Sequence, residues 1–137
     1  MKKGYKVAIE KETIANTNFR KVLYSGEHSQ LVLMTLKVGE EIGLEVHADT
    51  DQFFRFESGT GKVVINAIEY EVADGDAVVV PAGAEHNVIN TSETESLCLY
   101  TIYSPAHHKD GIVHTTKAEA MTDEENGTDE FEGVTTE

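Results

Sequence analysis

Between residues 21 and 104 the apolar positions fall in short runs rich in Val, Ile, Leu and aromatic residues, interrupted by Gly, Asp or Asn. None of these runs keeps the i, i+3, i+4 spacing of a helix long enough to bury one face, whereas alternation with period two is common. The pattern predicts nine short strands, at 21–25, 30–38, 43–47, 52–57, 62–66, 69–72, 77–80, 85–90 and 97–104. Many short strands joined by tight turns make an all-β sandwich or barrel. The breaks have chemical causes: Ser58-Gly59-Thr60-Gly61 and Asp74-Gly75-Asp76 supply glycine where positive φ is needed. Pro81 ends the Val78-Val79-Val80 run because it cannot donate to a sheet ladder. Face alternation gives a predicted core of Leu31, Leu33, Phe54, Phe56, Val63, Ile65, Val79, Val88 and Leu99.

Composition narrows the partners. The 137 residues carry a formal net charge of -14, which repels nucleic-acid phosphates and anionic lipid, so neither a nucleic acid nor a membrane is the expected partner. No apolar run approaches the ~20 residues that span a bilayer, and no long hydrophobic stretch follows Met1-Lys2-Lys3, so a cytoplasmic protein is expected. The single cysteine, Cys98, sits between Leu97 and Leu99 and reads as a small buried hydrophobe. Residues 118–137 hold eight acids (Glu119, Asp123, Glu124, Glu125, Asp129, Glu130, Glu132, Glu137), no Lys or Arg and few large apolar side chains. That stretch reads as a mobile acidic tail outside a single domain of residues 1–117.

Two stretches carry chemistry. In the second, Gly75, Pro81, Gly83, His86 and Asn90 fall at intervals that reproduce the second motif of the cupin superfamily. In the first, Gly39, Glu45-Val46-His47, Gln52 and Gly59 keep the spacing of the first cupin motif, with Glu45 where a His is usual and Gln52 where a Glu is usual. Residues 60–74 form the short link between them. Over roughly 22–104 the chain therefore resembles a small single-domain bacterial cupin, of the mannose-6-phosphate isomerase-like and quercetin-dioxygenase-like groups. The resemblance implies a double-stranded β-helix, or jelly-roll, and a homodimer. The segment from Lys6 to Ser25 is the expected edge for pairing with a second subunit.

Strand parity independently places Glu45 and His47 on one face, able to reach one ion. The resemblance adds Gln52 and His86. The usual three His and one Glu carry one negative charge, and Glu45, His47, Gln52 and His86 carry the same charge with the carboxylate moved. An amide oxygen is a poor transition-metal donor, so Glu45, His47 and His86 are the firm ligands of one divalent metal (Fe, Mn, Ni or Zn) and Gln52 the weak fourth. The resemblance to quercetin-dioxygenase-like cupins implies a small oxygen-bearing substrate, dioxygenase-type chemistry and Glu45 as proton acceptor as well as ligand. A Zn-dependent sugar-phosphate isomerase and a non-catalytic ligand-binding cupin are the alternatives. The isomerase suffers from a shortage of cations, since Arg20 and Arg55 are the only arginines. His107, His108 and His114 read as surface histidines around an exposed Lys109-Asp110-Gly111 turn. Asp49 and Asp51 read as turn formers, and Arg55 as a surface or interface residue. Tyr100 and Tyr103 lie on opposite faces of one strand, so at most one lines the cavity.

Overall fold

The computed structural model describes residues 1–137. In chain order the elements are α1 (Ile9–Ala15), β1 (Arg20–Ser25), β2 (Gln30–Leu36), β3 (Asp51–Ser58), β4 (Thr60–Ile65), β5 (Ile68–Ala73), β6 (Ala77–Val80), β7 (His86–Asn90), β8 (Leu97–Ser104), β9 (Val113–His114) and α2 (Lys117–Asn126). The strands form a six-stranded antiparallel sheet, ordered β6-β3-β8-β2-β1-β9, and a three-stranded one, ordered β5-β4-β7. This is the jelly-roll architecture. Residues 43–47, predicted as a strand, and the two residues before them run beside β7 through single bridges (Glu41 to Ile89, Glu45 to His86) without forming a regular ladder.

Val32, Met34 and Leu36 of β2, Phe54 and Phe56 of β3, Val63 of β4, Val80 of β6, Val88 of β7 and Leu97 and Leu99 of β8 fill the space between the sheets. Phe54, Phe56, Val63, Val88 and Leu99 were expected there, and Ile65 packs against the same cluster. Two strands have the opposite parity. In β2 the even positions face inward; Leu33 is buried on the outer face, beside residues 12–18. With apolar residues on both faces of β2, alternation could not tell them apart. In β6, Val80 is inside and Val79 is exposed.

Two turns need a particular backbone geometry. The β4–β5 hairpin turns on Asn66 and Ala67, both at positive φ, as a two-residue type I′ turn requires. Gly59, at φ 91°, joins β3 to β4 so closely beneath Ser96 that a Cβ there would collide with the Ser96 carbonyl.

The ends of the chain depart furthest from expectation. The Lys6 to Ser25 segment is not a free edge: α1 lies against the larger sheet, and β1 is paired on both sides, by β2 and β9. Residues 118–137 do not stand apart from the domain. Thr116 caps α2 by accepting the Glu119 N–H, Gly127 ends it at φ 68°, and Ala120 is buried. Beyond the helix, Asp129 is buried, and Thr136 exchanges hydrogen bonds with the Ser25 backbone. The docking is polar, through carboxylates meeting buried cations and imidazoles, which a count of apolar side chains does not register. No helix is long and apolar enough to cross a membrane.

Candidate metal centre

Glu45 and His86 lie opposite one another and exchange both backbone hydrogen bonds, each at 2.9 Å, which sets their side chains on the same face. His47 follows two residues on, and its carbonyl accepts the Gly83 N–H at 2.8 Å. Gly83 takes φ 86° at the corner that turns the chain into β7. Asp51 accepts the Ala82 N–H at 2.8 Å, tying the two corners together, as its turn-forming reading requires. One potential ligand atom from each of Glu45, His47 and His86 falls within 4.8 Å of the others.

The protonation pattern suits a cation. His86 Nδ1 sits 3.0 Å from the Ala84 carbonyl, which can only accept, so Nδ1 carries the proton and Nε2 presents a lone pair. His86 Nε2 is buried with no hydrogen-bond partner, as are His47 Nε2 and Gln52 Oε1. His47 Nε2 stands 3.1 Å from Glu45 Oε2, a contact distance without hydrogen-bond alignment. Burial pushes the Glu45 carboxyl up, but His47 beside it and the charge of Arg20 outweigh burial and hold it below the usual carboxylate range. Gln52 is buried in β3, and its Nε2 donates to Thr101 at 3.0 Å, which orients the amide and leaves Oε1 without a partner. Buried polar atoms without partners are costly alone, and a cation held among them would satisfy those that present lone pairs.

Around this group lies a set of residues that sequence reasoning assigned elsewhere or passed over. His108 and His114 are each 2% exposed, so they are not surface histidines. The His108 Nδ1 faces both Asp129 oxygens at 3.0 Å, and its Nε2 faces the Tyr103 hydroxyl at 3.0 Å. Burial, then Arg20, lowers His108 well below its ordinary value. The neutral ring therefore donates from Nδ1 to Asp129 and accepts the Tyr103 O–H at Nε2. Burial raises the Tyr103 phenol above its ordinary value, keeping it protonated. Tyr103 is buried while Tyr100 is half-buried on the other face of β8. His107 packs 4.2 Å from the His47 ring, and burial, then His47, lowers it to about 4. His114 contacts Asp123 at 2.7 Å, tying β9 to α2.

Arg20 is buried, 3.6 Å from Glu124 and 3.7 Å from Asp129. Arg55 pairs with Glu57 at 2.8 Å on a part-exposed side chain, consistent with its surface reading. Parity of β8 could have marked Tyr103. Nothing local could have joined Asp129 to His108 or brought Arg20 to its two carboxylates, because those contacts depend on docking of the last twenty residues.

A two-sheet antiparallel barrel carrying a part-buried Glu/His/His group defines a class of jelly-roll proteins. Within it this chain belongs to the cupin family: the cupin-domain profile matches residues 32–103. The chain is similar to the uncharacterized protein YrkC of Bacillus subtilis strain 168, with 46% identity over 129 residues, covering 90% of this chain and 69% of YrkC. It is also similar to protein L612 of Acanthamoeba polyphaga mimivirus, with 42% identity over 112 residues, covering 80% of this chain and 70% of L612. The crystal structure of BH2720 from Bacillus halodurans superposes with a TM-score of 0.85 at 45% identity, covering 88% of this chain and 95% of that one.

Proposed function

We propose that this cupin is a metal-dependent enzyme acting on a small oxygen-bearing organic molecule inside the barrel, with dioxygenase-type cleavage of an enol or diketone as the first reaction to test. The observation that carries the reading is a set of buried polar atoms without partners, His47 Nε2, His86 Nε2 and Gln52 Oε1, together with the Glu45 carboxylate that clusters with the two histidines. Glu45, His47 and His86 would hold one divalent ion, with Gln52 as the weak fourth member. Two imidazoles and one carboxylate are the donor set of Fe(II), Mn(II), Ni(II) or Zn(II) sites with open positions.

A divalent ion bound there supplies Lewis acidity and, if it is iron or manganese, access to O2 chemistry. The chain's own groups do the rest. Glu45, held below the usual carboxylate range, is ionised at neutral pH and can accept a proton from a substrate hydroxyl. Gln52 Oε1 can orient a hydroxyl or a water, its amide being pinned by Thr101. Phe54, its ring 6.3 Å from that of His86, and Val80, paired with Gln52 across β3 and β6, are buried beside these groups.

A Zn-dependent sugar-phosphate isomerase is the second reading, and buried Arg20 is the observation in its favour, although Glu124 and Asp129 already engage that cation. The test is O2 uptake by iron- or manganese-loaded protein against enols, diketones and sugar phosphates. Uptake with an enol or diketone, lost in Glu45→Gln, supports the oxygenase. Aldose-ketose interconversion without O2 uptake replaces it with the isomerase.

A further inference from the structure

The entrance to the Glu45/His47 group is a cavity of about 280 Å³ whose lining includes four acids, Glu45, Glu124, Asp129 and Glu130, beside His47 and His107. No Lys or Arg lines it. The nearest strong cation, Arg20, is buried behind Glu124 and Asp129 and faces both of them. Independently of these acids, the imidazole of His47, buried and unpartnered at Nε2, lines the same cavity and needs an occupant. Farther in, Gln52 Oε1 has no partner, and His108 Nε2, its ring held by Asp129, accepts the Tyr103 O–H, so that the lone pairs of the phenol oxygen are what Tyr103 has left to offer. Of the side chains that line the entrance, four are carboxylates and none is a Lys or Arg, so acceptors predominate there.

We infer that the ligand of this site is uncharged or cationic and rich in hydrogen-bond donors, a neutral polyhydroxylated carbonyl compound or an amine, and that phosphorylated and carboxylated molecules are turned away at the entrance. The inference rests on the metal-centre reading above and narrows its substrate class. Like charges facing an anionic ligand cost affinity, and the cost grows where the walls exclude water. Acceptors left without donors penalise a ligand that brings only acceptors.

The test uses cobalt-loaded full-length protein and three probes that share one metal-binding imidazole nitrogen: 1-propylimidazole, 1-(3-aminopropyl)imidazole and 3-(imidazol-1-yl)propanoate. Visible absorption of the cobalt reports binding of each at low salt. The cationic probe should bind at least tenfold more tightly than the anionic one, with the neutral probe between them. In Glu124→Gln/Glu130→Gln the gap should shrink severalfold, chiefly by tighter binding of the propanoate. Equal affinities or the reverse order in cobalt-bearing protein would overturn the inference alone. A chain that takes up no cobalt overturns the metal reading and this inference with it.

Discussion

At the scale of single residues, two predictions follow from orientation and protonation. His86 is aimed by one contact, Nδ1 to the Ala84 carbonyl, which leaves Nε2 free, while Gln52 offers only a neutral oxygen. His86→Ala and His47→Ala should therefore abolish metal retention, and Glu45→Ala should weaken it severely by removing the negative charge. Gln52→Ala should cost less affinity, yet change turnover. The second concerns acid. Burial lowers both His107, to about 4, and His108. The unfolded chain takes up these protons near pH 6.5 and the folded chain does not, so stability is full above about 6.5 and falls as the pH drops toward 4. Urea midpoints of metal-free protein at pH 7.5 and 5 should differ in that direction, and His107→Asn should flatten the slope. A midpoint unchanged across that window contradicts the assignment. The proximity of Glu45, His47 and His86 was legible because parity and motif spacing are local properties. The Tyr103–His108–Asp129 chain was not, because Asp129 lies twenty-one residues beyond its partner, in a stretch whose buried contacts are polar.

At the scale of elements, the eight strands that match expectation owe it to period-two alternation between strong turn signals. The helices were missed for different reasons. α1 has seven residues and one buried side chain, Thr13, too little to make a periodic stripe. α2 carries a readable start and stop, Thr116 with Glu119 and then Gly127, but its apolar content is so low that charge dominated the reading. Its docking makes a prediction. Removing residues 117–137 takes both carboxylates from Arg20 and the Asp129 and Asp123 contacts from His108 and His114. Thermal unfolding followed by circular dichroism should show a clear fall in Tm for the truncated chain. An unchanged Tm would mean that the segment contributes nothing to the fold. Gly59→Ala tests the β3–β4 corner in the same assay: left-handed φ and the Ser96 carbonyl together should cost at least about 1–3 kcal/mol.

At the scale of the whole molecule, the cupin barrel brings two motifs some forty residues apart into one cavity, and its negative charge is concentrated where the carboxyl-terminal segment borders the entrance. The homodimer implied by family resemblance stands as a proposal, since β1 is not the free edge first expected. Sedimentation should give twice the 15.1 kDa chain mass at micromolar concentration, and a purely monomeric boundary would oppose it. The central claim is that Glu45, His47 and His86 hold one divalent ion. The most direct measurement is metal content by mass spectrometry after dialysis against a mild chelator, for wild type and His86→Ala in parallel. About one transition-metal ion per wild-type chain and almost none in the variant is the predicted result; equal content in the two would contradict it.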